Sequence, residues 1–283
     1  MKADLVCQSK QGDQTQSEEG RHMNPEVVDF IEENKAIETL VRGLSEEQLT
    51  EPTAFKEWTT EHILKHLASG NLGAVMSLTD PERFMAELKA RQAAGKRGMP
   101  SKYDDMSGTE LIDGWMETVD DIVAHFGEAD LSQRVPWAKK MSARSSLSAR
   151  MMESWSHAQA IYDQFGVERQ DTDRLKHVAI LCVNTYGWTF ENAKKPIPEP
   201  KPYVELTAPS GDTWSFGEKS DSELVRGSAT EFCQVCTQTR NVADTALQVV
   251  GPNATAWMAS AQCFAGPPHP PPAPGTRKIN RNR

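Results

Sequence analysis

The sequence predicts a mainly α-helical protein in which a four-helix bundle is followed by a small α+β domain. Three observations predict this fold class. Over four long segments before Gly166, apolar residues recur every three to four positions, the spacing that places them on one face of a helix. After Gly166, the alternation of apolar and polar residues at 203–207 indicates a strand. A proline-rich run at 195–202 predicts an extended connector between the two patterns.

The N-terminal segment 1–23 is predicted to be disordered. It is mostly polar, and a segment with so little apolar surface cannot offset the entropy lost on ordering. The bundle is predicted to occupy residues 24–167. Its first helix begins after Asn24, because asparagine is a favourable N-cap and Pro25 suits the first helical turn.

The next helices are predicted from their capping residues. Ser45 opens a capping-box pattern for one short turn. Thr59 or Thr60 caps the second long helix. Asp80, which a proline follows, starts a shorter helix, and Ser107 starts the third long helix.

The fourth long helix is predicted over 145–165, with Gly166 as its stop. Four long helices are enough for an up-and-down bundle in which inward side chains from different helices meet. This last helix carries the residues with the most distinctive chemistry.

The segment 172–266 is predicted to form the small α+β domain. Residues 267–283 are rich in proline and then basic, so they are expected to form no packed core and to remain a disordered, flexible tail. The predicted elements of the domain are a helix from Asp173 to about Asn192, strands 203–207 and 213–216 in a hairpin, a helix from Ser228 to about Thr239, a strand at 246–250, and a last helix ending near Phe264.

The composition is that of a soluble globular protein. Of 283 residues, 25% are charged and 38% hydrophobic, and the formal net charge of -9 argues against a nucleic-acid partner, which requires clustered Lys and Arg. No apolar run has the length of a membrane span or a signal peptide, and five cysteines do not make a disulfide scaffold. We therefore expect a cytoplasmic protein without membrane contact, for which a homodimer is an allowed state.

Glu153 and His157 form half of a metal site. They are four positions apart, so on a helix their side chains project from one face. The second helix offers His62 and His66 as further ligands, and two histidines with one carboxylate make a zinc set that leaves a coordination position open. The spacing alone also fits a mild ion pair on a helix surface and ordinary hydrogen-bonded histidines.

Two separated motifs strengthen the metal interpretation through a resemblance. In chain order they are Trp58-Thr-Thr-Glu-His-Ile-Leu-Lys-His66-Leu-Ala and Arg150-Met-Met-Glu153-Ser-Trp155-Ser-His157-Ala-Gln. Together they resemble the N-terminal domain of the mycothiol-dependent maleylpyruvate isomerase family, a DinB-like metal-binding four-helix bundle. The later stretches Val204-Glu-Leu-Thr-Ala-Pro-Ser-Gly-Asp-Thr-Trp214 and Phe232-Cys-Gln-Val-Cys-Thr-Gln-Thr-Arg240 are similar to the C-terminal domain of a metal-binding branch of that family.

Carried over position by position, the resemblance implies that His66, Glu153 and His157 hold the metal. His62 falls where the family has another residue type, so it is the second choice, as an outer-shell group. Zinc is the first expectation, although nickel, iron and manganese also accept imidazole and carboxylate ligands. Arg150 and Arg240 are candidates for binding a substrate carboxylate, against the alternatives of an ion pair and a cation at a helix end.

The resemblance implies an enzyme that uses a low-molecular-weight thiol. We expect an isomerase or transferase that acts on a small electrophile, in which the metal would lower the pKa of the thiol. Two alternatives stay open at this point. The same ligands could activate water in a hydrolase, or the ion could be bound without catalysis, with His62 as a fourth ligand that closes the site.

Overall fold

The bundle consists of four long helices and two shorter ones. The computed structural model describes residues 23–95, 99, 101–137 and 139–282, so the predicted disordered segment 1–23 lies outside the described residues except for Met23. The helices are α1 (Pro25–Arg42), α2 (Glu46–Leu49), α3 (Thr60–Thr79), α4 (Pro81–Ala93), α5 (Gly108–Phe126) and α6 (Ala143–Gln164).

Capping residues explain where several of these helices begin. The Ser45 capping box forms as expected, with the Ser45 hydroxyl accepting from Gln48 N and the Gln48 side chain accepting from Ser45 N. Thr59 accepts from His62 N at the start of α3. Ser107 makes no side-chain cap at the start of α5, contrary to expectation, and the Glu61 carboxylate accepts from Gly108 N at 2.8 Å instead.

The core of the bundle lies between α1, α3, α5 and α6. Large apolar side chains from all four helices are almost fully buried there, among them Phe30, Leu64, Trp115 and Trp155. The Ser154 hydroxyl donates to Asn34 Oδ1 at 2.9 Å within this core and ties α6 to α1. Because α3 and α6 pack against each other, residues on their facing sides come close together.

The C-terminal part is a four-stranded sheet covered by helices. Its elements, together with a two-stranded ribbon that lies between α5 and α6 in the chain, are β1 (Arg134–Val135), β2 (Met141–Ser142), α7 (Lys176–Asn184), α8 (Tyr186–Asn192), β3 (Tyr203–Thr207), β4 (Thr213–Phe216), β5 (Leu224–Ser228), α9 (Ala229–Cys236), β6 (Gln248–Val250) and α10 (Pro252–Met258). The strand order of the sheet is β4-β3-β5-β6; β3 pairs antiparallel with β4 and parallel with β5. Helix α7 packs against both α6 and α9, so it lies between the sheet domain and the bundle.

This architecture confirms the predicted fold class, with three differences in detail. Strand β5 was not predicted, and the helix predicted to start at Asp173 is divided at Thr185. The Thr185 hydroxyl donates to the carbonyl oxygens of Leu181 and Cys182, a local bond that disturbs a regular helix. The last helix ends at Met258, short of the predicted residue.

The tail after Gly266 differs from the expected flexible segment. Gln238 Nε2 donates to His269 O at 2.8 Å, and Asn241 Nδ2 donates to Pro272 O at 2.8 Å. Further along, Asn280 N donates to Asp163 O at 2.7 Å, so the tail reaches α6 of the bundle. The prolines exclude regular secondary structure here. Side-chain amides and a backbone oxygen of the folded parts instead form hydrogen bonds with the backbone of the extended tail.

Within the described residues, no helix combines the length and the apolar character that crossing a lipid bilayer requires.

Candidate metal centre

Helices α3 and α6 bring the candidate ligands together. Glu153 and His157 lie one turn apart on the same side of α6, and His66 lies on the side of α3 that faces them. Both helices are anchored at their N-termini, by the Thr59 hydroxyl on α3 and by the Ser142 hydroxyl on α6. The ligands therefore project from regular helices rather than from loops, which fixes their spacing.

The three side chains converge on a single carboxylate oxygen. His66 Nε2 and His157 Nε2 each lie 3.1 Å from Glu153 Oε2, and the two imidazole rings are 4.6 Å apart at 73°. One ligand atom from each residue lies within 4.8 Å of the other two. Bonds of about 2.1 Å from a tetrahedral ion would place such atoms roughly 3.4 Å apart, and the two nitrogen-to-oxygen distances of 3.1 Å are close to that value.

The charge states also suit a cation. Burial by itself raises the pKa of Glu153, but hydrogen bonds with His157 and His66 and the charge of Arg150 outweigh it and hold the pKa well below its ordinary value. Burial lowers the pKa of His157, although its hydrogen bond with Glu153 opposes this. An ionised carboxylate and a neutral imidazole are the forms that bind metal.

Aromatic rings form one wall of the centre. Trp58 stacks on His157 with a centroid distance of 5.7 Å and lies 5.3 Å from His66. Phe55 contacts His157 at 5.0 Å. The loop that carries them is a tight turn in which Thr53 N donates to Trp58 O, and Lys56 and Glu57 have positive φ angles of 53° and 58°.

Arg150 lies on the other side of Glu153, one turn earlier on α6. It is 5% exposed, its guanidinium is 3.7 Å from Glu153 Oε1, and it lies 5.5 Å from the centre of the Trp137 ring. It packs directly over Gly70 of α3, where a Cβ would fall 1.8 Å from Arg150 Nη1. Among the described residues this guanidinium forms an ion pair with Glu153 but donates no hydrogen bond.

Comparison with known proteins bears on this geometry. The family model of the mycothiol maleylpyruvate isomerase N-terminal domain matches residues 30–162, a span that contains all three candidate ligands. Uncharacterized proteins of two Mycobacterium tuberculosis strains, CDC 1551 / Oshkosh and ATCC 25618 / H37Rv, are each 35% identical over 250 residues, which is 86% of this chain and 96% of the relative. The chain belongs to the mycothiol maleylpyruvate isomerase family.

The chain is also similar to two solved structures, of the mycothiol-dependent maleylpyruvate isomerase and of a histidine-to-alanine mutant of it. They are 15% and 16% identical, with TM-scores of 0.45 and 0.46, and the alignments cover 75% of this chain and 87% of each structure.

In this family member the other predicted site residues lie apart from the ligand group. His62, the second-choice ligand, is exposed one turn before His66 and contacts Trp58 at 6.3 Å. Arg240 forms a bidentate ion pair with Asp163, at 2.6 and 2.7 Å, so its guanidinium is already occupied. This ion pair is neither of the two roles considered for Arg240 from the sequence, and substrate binding by Arg240 stays a prediction.

Sequence reasoning missed Phe55, Trp137 and Gly70 as components of this region. Phe55 and Trp137 lie in loops, where no periodicity predicts the direction of a side chain. Gly70 offered a usable signal, because a glycine inside a helix is unfavourable unless something packs closely against it. Its partner could not be identified without the fold.

Proposed function

We propose that this protein is a metal-dependent enzyme in which His66, Glu153 and His157 hold one divalent ion, with zinc as the expected metal. The proposed activity is a thiol-dependent isomerisation or transfer on a small electrophile that carries a carboxylate. The observation that carries the proposal is the convergence of two imidazole nitrogens and one carboxylate oxygen beside Arg150, whose guanidinium donates no hydrogen bond among the described residues. Membership of the mycothiol maleylpyruvate isomerase family supports the thiol part.

A divalent ion held by this set would lower the pKa of a thiol placed beside it, so that the thiolate forms near neutral pH. The remaining roles belong to the protein. Arg150 would hold the substrate carboxylate through two parallel N–H donors, which fixes the orientation of the electrophile. Trp58 and Phe55 would exclude water from the His157 side, since their rings pack against the imidazole.

Two features support an enzyme over a protein that only stores or senses the ion. Only three side chains of the described residues gather at the centre, and His62 does not join them, so a coordination position is left for a substrate or thiol. In addition, the nearly buried guanidinium of Arg150 lies 3.7 Å from the Glu153 carboxylate and donates no hydrogen bond among the described residues. Such a group is suited to bind an anionic ligand beside the ion, which a purely structural ion does not require. A hydrolase would use the same ligands with water, and the response to thiols separates the two.

The first test is metal content, measured by elemental analysis of purified protein. Wild type is expected to hold about one equivalent. Each of three single substitutions should lower the metal affinity: His66→Ala, Glu153→Ala and His157→Ala. The loss should exceed the roughly 10–100-fold that is typical when a residue hydrogen-bonded to a ligand, rather than the ligand itself, is replaced. His62→Ala is the matched control on the same helix and should keep its metal. Full metal content in the three ligand variants, or none in reconstituted wild type, would contradict the proposal.

The second test asks whether a thiol reaches the ion. Protein reconstituted with Co²⁺ is titrated with 2-mercaptoethanol and with mercaptoacetate, and the sulfur-to-cobalt charge-transfer absorption is followed. Both should produce the band, and mercaptoacetate should bind more tightly because its carboxylate pairs with Arg150. A cobalt spectrum that no thiol alters would exclude the thiol-dependent activity and leave the hydrolase.

A further inference from the structure

Arg277, in the C-terminal tail, lies beside the aromatic wall of the metal centre. Its guanidinium is 5.0 Å from the centre of the Phe55 ring, and Phe55 is 5.0 Å from the His157 ring. Arg277 is therefore at most about 10 Å from the centre of a ligand ring, since both distances are measured to the same point. From the sequence, this residue was expected to lie in a flexible basic tail.

The tail is held in place on both sides of Arg277. Before it, Gly275 N donates to both carboxylate oxygens of Asp244, at 2.8 and 2.9 Å. After it, Asn280 N donates to Asp163 O on α6 at 2.7 Å. The backbone on both sides of Arg277 is thus held by contacts to the sheet domain and to the bundle, which places this residue beside Phe55.

The guanidinium of Arg277 is half-buried but lacks an anionic partner of its own. Among the residues that the structure describes, it forms no hydrogen bond or ion pair, and its contact is the Phe55 ring. Asp163, the carboxylate whose charge acts on Arg277, is already engaged by Arg240 in two hydrogen bonds. Lys56 adds a second cation 5.1 Å from the Phe55 ring. In a protein with a net charge of -9, this is a local concentration of positive charge.

We propose that Arg277 is a specificity-determining residue that binds a carboxylate of the small-molecule ligand on the Phe55 side of the metal centre. The inference rests on the proposed function, because it takes the metal as the anchor of the ligand. Arg150 lies next to Glu153, whereas Arg277 lies next to the Phe55 ring, which contacts His157. A ligand anchored at the metal could therefore reach one cation or the other, depending on its length.

The experiment uses a matched pair of longer thiols on the full-length Co²⁺ protein. 6-Mercaptohexanoate and 6-mercaptohexanol differ in the carboxylate alone, and each can extend past the Phe55 ring from a sulfur at the metal. In wild type the carboxylate should improve affinity about tenfold, as expected for one charge-assisted hydrogen bond at a partly exposed site. Arg277→Gln should bring the ratio close to one while metal content is retained.

Lys278→Ala is the control, since it removes the neighbouring tail cation, which is exposed. It should leave the affinity ratio as in wild type. An equal ratio in wild type and Arg277→Gln would overturn the inference while leaving the metal and thiol chemistry intact. If neither thiol produced the charge-transfer band, the proposed function would fail and the assignment of Arg277 would fail with it.

Discussion

Gly70 determines where the guanidinium of Arg150 can lie. Glycine within a helix costs about 1 kcal/mol relative to alanine, so its presence in the middle of α3 needs a structural reason. The reason is the close approach of Arg150, whose Nη1 occupies the position that a Cβ would take. Gly73, one turn further, leaves room for the Trp137 ring in the same way. The two glycines together allow the cation and its aromatic cover to pack against α3.

Gly70→Ala is therefore expected to move the Arg150 guanidinium while the ligand set stays in place. The clash involves the mobile end of a side chain, so the helix should persist, and its stability should change little because alanine favours it. On Co²⁺ protein the preference for mercaptoacetate over 2-mercaptoethanol should fall about tenfold, the effect of losing roughly 1.4 kcal/mol.

The matched control for Gly70→Ala is Gly187→Ala. Gly187 also lies inside a helix, where a Cβ would meet only the end of the Ile197 side chain at 3.3 Å. This variant should keep the preference for mercaptoacetate. A preference that survives in Gly70→Ala as well would show that Arg150 does not bind the carboxylate.

At the scale of elements, a buried ion-pair network joins α1 to the segment that follows α6. Glu33 of α1 is 3% exposed and accepts from Arg169 and, at 2.7 Å, from Arg174. Arg169 also donates to Trp155 O at 2.6 Å and stacks on the Trp155 ring. Since Trp155 lies between Glu153 and His157 on α6, this network holds the ligand helix against the bundle.

Glu33→Gln is expected to destabilise the protein by about 3 kcal/mol, because it removes the buried carboxylate that two guanidinium groups share. It would leave Arg169 paired with Asp171 at 3.2 Å and Arg174 with a weak contact to Glu32 at 3.9 Å. Glu32→Gln is the control at the neighbouring position of α1. The Glu32 side chain is 61% exposed, and its contact with Arg174 is long, at 3.9 Å, so the stability should change little. Denaturant unfolding measures both. Equal midpoints for the two variants would mean that the network does not stabilise the native state.

The sequence predicted the elements whose signals are local. Caps and apolar spacing located α1, α3, α5 and α6, and alternation located β3 and β4 residue for residue. Strand β5 was missed because its residues, from Leu224 to Ser228, do not alternate, and because a parallel partner lies far away in sequence. The break at Thr185 depends on side-chain bonds that composition does not reveal.

The candidate site was predictable to a similar degree. The spacing of Glu153 and His157 indicated a candidate ligand pair on α6, and the resemblance selected His66 over His62; the structure brings these three side chains together. The surrounding residues were not predictable, because the contacts of Phe55, Trp137 and Arg277 are set by loops and by a tail that pack only in the folded protein. The division into a bundle of residues 24–167 and a domain of 172–266 stays a prediction.

At the scale of the whole molecule, α6 is shared by the bundle, the sheet domain and the tail. Near its C-terminal end Asp163 accepts from both terminal nitrogens of Arg240, at 2.7 and 2.6 Å, and from Gln159 Nε2 at 3.0 Å. Its backbone oxygen accepts from Asn280 in the tail. One residue, less than two turns beyond His157, therefore connects the ligand helix to both C-terminal parts.

Asp163→Asn is expected to cost about 3 kcal/mol of stability, because Arg240 would be left with its side chain 13% exposed and without a countercharge. Asn280 of the tail is bound through the backbone oxygen of residue 163, so a loosened end of α6 should weaken that contact, and trypsin should cleave after Arg277 and Lys278 faster than in wild type. Glu205→Gln, which breaks the more exposed pair with Arg226, is the control and should leave both stability and tail cleavage nearly unchanged. Unchanged cleavage in Asp163→Asn would show that the ion pair at the end of α6 does not hold the tail in place.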